Sequence, residues 1–148
     1  MSSTYLSVHY HIVISTKNRT PSIADSWQTR LHEYLGGTVN GLDGISQGVG
    51  GVADHVHLLV GLKASHKLSD FMRKLKKALS VWGHEEIGDK TFGWQNGCAA
   101  FAVGATSRAS VKRYIAKQAE HHRVKTFREE LIELLHRAGI DFDGQNLD

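Results

Sequence analysis

Hydrophobic and polar side chains alternate along the first part of the chain, over residues 5–16. This two-residue period predicts a β-strand with one buried face, because successive side chains of a strand point to opposite sides. The apolar positions are Leu6, Val8, Tyr10, Ile12 and Ile14. His9 and His11 fall on the other face, where we expect polar side chains on the surface of the sheet.

A helical period follows this strand. The apolar residues Ile23, Trp27, Leu31 and Leu35 recur at a spacing of three to four residues. Such spacing predicts a helix that buries one stripe. Ser22 and Asp25 resemble a capping box at its start, and the Gly-Gly pair at 36–37 or the Asn-Gly pair at 40–41 is expected to end it.

The rest of the chain continues with strands and helices. The remaining predicted elements are a weak strand over 45–49, a strong strand over 55–62, a helix over 67–84, a strand over 92–103, and helices over 108–122 and 126–138. The apolar stripe of the helix over 67–84 consists of Leu68, Phe71, Met72, Leu75, Leu79 and Trp82. Thr126 and Glu129 form a capping box at the start of the last helix.

The order of these elements is β-α-β-β-α-β with helices appended at the C-terminal end. This order predicts the α+β class with a ferredoxin-like antiparallel sheet, two helices on one face and the other face open. We expect one domain over residues 1–148, because a chain of this length typically forms one domain.

The amino-acid composition indicates what class of protein this is. Hydrophobic residues make up 41% of the chain and charged residues 22%, which is typical of a globular protein and not of a disordered one. The sequence has no apolar run of the ~20 residues that span a membrane, and its first residues do not resemble a signal peptide. Cys98 is the only cysteine, which excludes intramolecular disulfides, so we expect a reducing, cytoplasmic location.

Basic residues cluster in two of the predicted helices. Residues 63–84 contain six Lys or Arg against one Asp, and residues 108–126 contain six against one Glu. Residues 127–148 are acidic, with two basic and six acidic side chains. Two basic helical faces favour a polyanionic partner such as nucleic acid, although solvated helix faces would have the same composition.

Two histidines share one face of the strand over 55–62. Val56, Leu58, Val60 and Leu62 are its apolar positions, so His55 and His57 point to the opposite face. Their backbones are ~7 Å apart, close enough for the imidazoles to share a metal ion. Two surface histidines are the alternative. A histidine-triad hydrolase would have a third histidine at the position of Leu59, so the interpretation as such a hydrolase is weakened.

A polar stripe lies on the helix over 108–122. At ~100° per residue, Tyr114, Gln118 and His121 fall on one side of this helix, next to basic residues. A phenol with its ordinary pKa near ~10 is a weak nucleophile. It can attack a phosphodiester when a metal ion polarises the phosphate. Tyr114 as a core aromatic residue is the structural alternative.

Together these motifs resemble a known family. The strand with His55 and His57, a basic amphipathic helix, and the helix with Tyr114 and Gln118 are similar to the single-tyrosine HUH transposases, including the relatives associated with REP sequences. These small transposases belong to insertion sequences that move as single-stranded DNA. The resemblance covers most of the chain, from Tyr5 to Ile140.

The resemblance implies a role for each residue of the motifs. His55, His57 and Gln118 would bind Mg²⁺ or Mn²⁺, and Tyr114 would form a 5′-phosphotyrosine link, with His121 as a supporting residue. Imidazole ligands favour Mn²⁺ somewhat over Mg²⁺. The expected partners are DNA hairpins and a second copy of the chain, in a homodimer that can exchange the tyrosine helix, with no membrane and a location at the nucleoid.

We expect the basic helices to contact DNA phosphates. The candidate residues are Lys67, Arg73, Lys74, Lys76, Lys77, Arg113 and Lys117. Three alternatives remain open. The protein could be a domesticated relative that processes repeat hairpins, a non-catalytic nucleic-acid-binding module of the same topology, or a phosphohydrolase that uses water in place of tyrosine.

Overall fold

A four-stranded antiparallel sheet forms the centre of the molecule. The structure is a computed structural model that describes residues 5–144. The strands are β1 (His9–Ser15), β2 (Ile45–Val52), β3 (His55–Gly61) and β4 (Ala99–Val103), in the order β2-β3-β1-β4. The predicted α+β class with a ferredoxin-like sheet is confirmed. The expected domain, 1–148, includes residues 1–4 and 145–148, which lie outside the described part.

Two helices cover one face of the sheet. They are α1 (Asp25–Gly41) and α2 (Leu68–Trp82), and both follow the predicted apolar stripes. The core between them and the sheet includes Ile12, Ile14, Leu31, Leu35, Val56, Leu58, Val60, Phe71, Leu75 and Leu79. The alternation within β1 and β3 therefore selects the side chains that form this core.

The other face of the sheet is covered as well, so the expectation of an open face is wrong. Three helices lie after β4, namely α3 (Arg108–Ala116), α4 (Gln118–His121) and α5 (Phe127–Arg137). Ile115 of α3 packs with Leu59 and Val103 in a second, smaller core. His9 and His11 are consequently buried and do not lie on the surface of the sheet.

Several predicted boundaries are wrong for local reasons. The first strand begins at His9, and Tyr5 and Leu6 are exposed. Ser22 does not cap α1, because Ala24 occupies the N-cap position. Of the two expected ends of this helix, the Asn-Gly pair at 40–41 is confirmed, because the helix continues through the Gly-Gly pair at 36–37. The weak strand extends to Val52, with an irregularity in its pairing after Ser46.

The second half of the chain also departs from the predicted boundaries. Helix α2 ends at Trp82, and a π-helical turn, Gly83–Ile87, follows it. Only Ala99–Val103 of the expected fourth strand is extended, although Trp94 forms an isolated bridge with Thr16. The expected helix over 108–122 is interrupted at Lys117, which separates α3 from α4. The capping box of α5 is confirmed, with both of its hydrogen bonds present. Within residues 5–144 no helix is both long and apolar enough to cross a membrane.

A glycine lets α3 lie directly on the sheet. Gly50 of β2 is buried, and a Cβ atom at this position would overlap the backbone carbonyl oxygen of Ile115. Only a residue without a side chain permits such a close approach of two backbones. The position of the tyrosine helix therefore depends on Gly50.

We predict that Gly50→Ala displaces α3 and lowers the free energy of unfolding by about 1–3 kcal/mol, because neither backbone can yield without strain. Urea denaturation measures this loss. Gly37→Ala is the matched control, because Gly37 lies in α1 with open space around it. That variant should be neutral or about 0.5–1 kcal/mol more stable. Equal stability of the Gly50→Ala variant and the native chain would show that α3 is not held in this way.

Candidate functional site

The two histidines of β3 point away from the main core, as their alternation with Val56 and Leu58 requires. Both imidazoles are fully buried, at 0% exposure, because α3, α4 and α5 cover this face. Their ring centroids are 5.0 Å apart. The structure thus brings His55 and His57 together, but in a closed site and not on an open sheet.

The helices add further polar groups around the two imidazoles. Glu130 of α5 places its Oε1 atom 2.9 Å from His57 Nε2 and 3.4 Å from His55 Nε2. His122 Nε2 lies 3.2 Å from the same oxygen. Gln118 Oε1 is 3.1 Å from the Nε2 atoms of both His55 and His122. Three imidazoles, one carboxylate and one amide thus converge on one point.

Tyr114 lies at the edge of this cluster. Its hydroxyl donates a hydrogen bond to Glu130 Oε2, which also accepts one from Gln118 Nε2 at 3.1 Å. The His121 ring packs on the phenol, with a centroid distance of 4.6 Å. Tyr114, Gln118 and His121 therefore lie close together as the helical spacing predicted, despite the interruption at Lys117.

Each of the three imidazoles has a second partner outside the cluster. His55 Nδ1 lies 2.7 Å from Asp54 Oδ1. His57 Nδ1 lies 2.7 Å from His11 Nε2. His122 Nδ1 lies 2.8 Å from the Lys125 carbonyl oxygen. Such partners fix the orientation of an imidazole and leave Nε2 directed inward, an arrangement typical of metal-binding histidines.

Burial and hydrogen bonding set the charges of these groups. Burial lowers the pKa of His11 to about 3 and also lowers that of His57, so both are neutral near pH 7. Burial opposes the charge on His55 too, but its hydrogen bonds with Asp54 and Glu130 outweigh this and raise its pKa.

Glu130 and Tyr114 are affected in opposite directions. Burial alone would raise the pKa of Glu130, but hydrogen bonds from His122, His55 and His57 lower it well below its usual range. Burial and the hydrogen bond to Glu130 raise the pKa of Tyr114 above its ordinary value. The carboxylate is thus ionised, and the phenol keeps its proton.

The cluster is chemically suited to a metal ion. Asp54 and the Lys125 carbonyl can only accept hydrogen bonds, so they fix the hydrogen of a neutral His55 or His122 ring on Nδ1. The Nε2 lone pairs then face the oxygens of Gln118 and Glu130, and either a proton or a metal cation between these atoms would make the contacts favourable. The ligand atoms of His55, His57, His122 and Glu130 lie within 4.8 Å of one another and could hold a divalent metal.

The sequence prediction missed three residues, namely His122 and Glu130 within the cluster and His11 beside it. The strand pattern predicted His11 on the surface of the sheet, because alternation within a strand does not show whether helices cover its polar face. Glu130 had a usable signal. It shares the predicted helix face of Phe127 and Leu134, and a carboxylate in an apolar stripe requires a partner.

The candidate DNA-binding residues lie on two sides of the molecule. Arg73, Lys74 and Lys77 are exposed on α2, and Lys67 is exposed at its N-cap. The apolar stripe of this helix packs on the sheet face opposite to the cluster. Arg113 and Lys117 are exposed near Tyr114 in the sequence. Lys76 differs, because its ammonium group donates hydrogen bonds to the carbonyl oxygens of Gln95 and Gly97. It therefore also supports the loop before β4.

Comparisons with known proteins agree on one family. Residues 4–118 match the family model described as "Transposase IS200 like". The chain is 26% identical over 121 residues to the ISDra2 transposase TnpA of Deinococcus radiodurans, covering 75% of this chain and 84% of that protein.

Two solved structures share the fold. One is a crystal structure described as that of a transposase from Deinococcus radiodurans R1, with a TM-score of 0.64. Its sequence is 22% identical to this chain, and the match covers 78% of this chain and 94% of the other. The other is a REP-associated tyrosine transposase bound to a REP hairpin, with a TM-score of 0.56 and 16% identity over 78% of this chain and 68% of that one.

We predict that His11 makes the fold sensitive to acid. The folded state holds its pKa at about 3, against 6.5 in the unfolded chain, so the unfolded state binds the extra proton as the pH falls below 6.5. The free energy of unfolding should therefore decrease on acidification, and His11 alone should account for about 1 kcal/mol between pH 7.5 and 5.5.

Urea denaturation in the presence of a chelator tests this prediction. His11→Gln can keep a hydrogen bond to His57 but does not titrate, so its loss of stability over this pH range should be smaller by that amount. The same pH dependence in both proteins would contradict a neutral, buried His11.

Proposed function

Because the chain belongs to the family of IS200-like transposases, we propose that it cleaves and rejoins single-stranded DNA through a 5′-phosphotyrosine intermediate. One observation carries the proposal. The Tyr114 hydroxyl is hydrogen-bonded to Glu130, whose other oxygen lies among the buried imidazoles of the cluster. A nucleophile and a candidate metal site are thus joined within one chain. We take residues 1–148 to act as one transposase domain.

In the proposed cleavage, Tyr114 Oη attacks a backbone phosphorus. The new bond joins the phenol oxygen to the 5′-phosphate, and the bond from phosphorus to the 3′-oxygen breaks. The phenol loses its proton and the leaving 3′-oxygen gains one, so the products are a phosphotyrosine ester and a free 3′-hydroxyl. The reverse attack by a 3′-hydroxyl rejoins the strands, because the ester retains the energy of the original bond.

The proposed metal ligands are His55, His57 and Gln118. Their donor atoms converge, and Asp54 and His11 hold the two imidazoles in place. A bound divalent ion would polarise the phosphate and stabilise its developing charge. Both Mg²⁺ and Mn²⁺ suit the oxygen ligand, and the imidazoles favour Mn²⁺.

A cavity beside Tyr114 provides the proposed approach of the DNA strand. It has a volume of about 310 Å³, and its lining includes Tyr114, His121, Lys125 and Arg137. The lining also includes Glu130 and Glu133, and Glu133 pairs with both Lys125 and Arg137, so a phosphate would have to compete with this carboxylate for the two basic groups. We propose hairpin DNA as the partner, in agreement with the REP hairpin bound by the structural relative. A protein with this substrate would act at the nucleoid, in the cytoplasm.

The basic face of α2 is proposed to contact DNA away from the cluster, because it lies on the other side of the sheet. We also propose a homodimer that can exchange α3 between copies, because such an exchange would reproduce the same contacts around Tyr114. A domesticated protein that processes repeat hairpins would use the same site, so only the genomic surroundings distinguish it from a mobile transposase.

We predict that Tyr114→Phe abolishes covalent attachment to DNA. The variant lacks one oxygen atom and should still fold and bind hairpin DNA, because the ring remains packed on His121. The measurement is incubation of labelled single-stranded hairpin DNA with Mn²⁺, followed by denaturing electrophoresis to detect the protein–DNA adduct.

The control is Tyr34→Phe, because Tyr34 lies on α1 and stacks on Trp82 on the other face of the sheet. This variant should form the adduct like the native chain, and a chelator should prevent it in both. Cleavage without an adduct in the native protein would indicate a hydrolase that uses water. Binding without cleavage would indicate a non-catalytic module.

We predict that Lys74→Ala and Arg113→Ala each weaken DNA binding and its salt dependence. The logarithm of affinity should fall with the logarithm of salt concentration, and loss of one phosphate contact reduces the slope by about 0.7–0.9. Fluorescence anisotropy at several salt concentrations measures both quantities. Lys90→Ala is the matched control, since Lys90 is exposed outside both basic helices. Unchanged slopes in both test variants would mean that DNA binds elsewhere.

A further inference from the structure

We propose that His122 and Glu130 are ligands of the metal site, and that Glu130 also holds Tyr114, so that one carboxylate couples metal binding to the position of the nucleophile. The family model ends at residue 118, so both residues belong to the segment that follows it. The role of Tyr114 rests on the proposed function, whereas the ligand assignment rests on geometry alone.

The first step of the argument is the position of Glu130 Oε1. It lies 2.9 Å, 3.2 Å and 3.4 Å from the Nε2 atoms of His57, His122 and His55. All three rings direct Nε2 at this oxygen. One ion bound among these four atoms could contact all of them, since they are within 4.8 Å of one another.

The second step is the burial of this carboxylate. Glu130 is 2% exposed, and a buried carboxylate is costly unless positive charge compensates it. Within residues 5–144 its ion-pair partners are His55, His57 and His122, none of them Lys or Arg. A divalent cation bound among these three rings would supply the compensating charge directly beside the carboxylate.

The third step is the orientation of His122. Its Nδ1 atom is 2.8 Å from the carbonyl oxygen of Lys125, in the turn between α4 and α5. This contact corresponds to that of His55 with Asp54, and both leave Nε2 directed at the centre. His122 is thus oriented in the same way as the two histidines of β3, although it comes from a different element.

The fourth step is the anchoring of α5. Its capping box fixes the start of the helix, and the Phe127 ring stacks on His55 with a centroid distance of 4.3 Å. Glu130 follows Phe127 by three residues and so faces the same side of the helix. The position of α5 therefore directs the Glu130 carboxylate toward the imidazoles.

The last step is the second carboxylate oxygen. Oε2 accepts hydrogen bonds from the Tyr114 hydroxyl and from Gln118 Nε2. The latter bond also turns Gln118 Oε1 toward the imidazoles. An ion on Oε1 would fix the carboxylate plane and hence the Tyr114 hydroxyl. Three nitrogen and two oxygen donors suit Mn²⁺ or Co²⁺ better than Mg²⁺.

Metal affinity tests the ligand assignment without any DNA. The probe is Co²⁺, whose visible absorption reports its ligands, titrated into the full chain. We expect one ion per chain, and a loss of affinity of about ten-fold or more in Glu130→Gln and in His122→Asn. The controls are Glu133→Gln and His136→Asn, which remove exposed or half-buried groups of α5 outside the cluster. These should bind Co²⁺ like the native chain.

Two results would overturn the ligand assignment. Native Co²⁺ affinity and spectrum in Glu130→Gln and His122→Asn would show that neither residue coordinates. Tighter binding in Glu130→Gln would show that the carboxylate competes with the ion. Because Glu130→Gln alters a buried group, circular dichroism of each variant confirms folding, and His122→Asn provides an independent test should Glu130→Gln not fold.

The coupling to Tyr114 has its own measurement. In protein labelled with [ζ-¹³C]tyrosine, Tyr114→Phe identifies the Tyr114 signal by NMR. Addition of diamagnetic Zn²⁺ should shift this signal in the native chain and in Glu133→Gln but not in Glu130→Gln, even at saturating Zn²⁺. A Zn²⁺-dependent shift of native size in Glu130→Gln would overturn the coupling.

The failure of this inference can be told from failure of the proposed function. If Glu130→Gln keeps native Co²⁺ affinity while the native chain forms the DNA adduct, only the inference is wrong. If the native chain forms no adduct but its Co²⁺ affinity depends on Glu130, the metal site is correct and the transposase chemistry is wrong.

Discussion

Strand β3 is buried along its whole length although it carries two imidazoles. Buried polar groups must be satisfied by hydrogen bonds, and the sheet itself offers only backbone groups already used in its ladders. The partners have to come from whatever covers that face, which requires helices that are polar on their inner side. This requirement accounts for the close approach of α3 at Gly50 and for the buried Gln118 and Glu130.

The two faces of the sheet consequently have different physical characters. Between the sheet and α1 and α2 the contacts are apolar, and they stabilise the fold without directional constraints. Between the sheet and α3, α4 and α5 the contacts are mainly hydrogen bonds among ionisable groups, with a small apolar cluster around Ile115. A low-dielectric, polar layer of this kind strengthens every charge interaction within it. The main apolar core and the cluster of ionisable groups therefore lie on opposite sides of one sheet.

Patterns within single elements predicted most of the fold. The alternation in β1 and β3 and the stripe of α2 depend on local geometry, so they identified the sheet, its main core and the shared face of His55 and His57. Features set by distant contacts were not predictable in this way. The interruption at Lys117, the loop around Trp94 and the burial of His11 all depend on how later helices pack. Glu130 was detectable only as a carboxylate in an apolar helix face.

The cluster and the groups that orient its imidazoles come from residues that are widely separated in the sequence, from His11 in β1 to Glu130 in α5. During synthesis the N-terminal elements emerge and can pair first. The sheet and the apolar core are complete once β4 has formed, but the carboxylate is added only when α5 follows. A nascent chain can thus have its sheet and apolar core in place while its polar layer is still open to water, and the last of the described helices to be made closes the imidazoles off and adds their carboxylate.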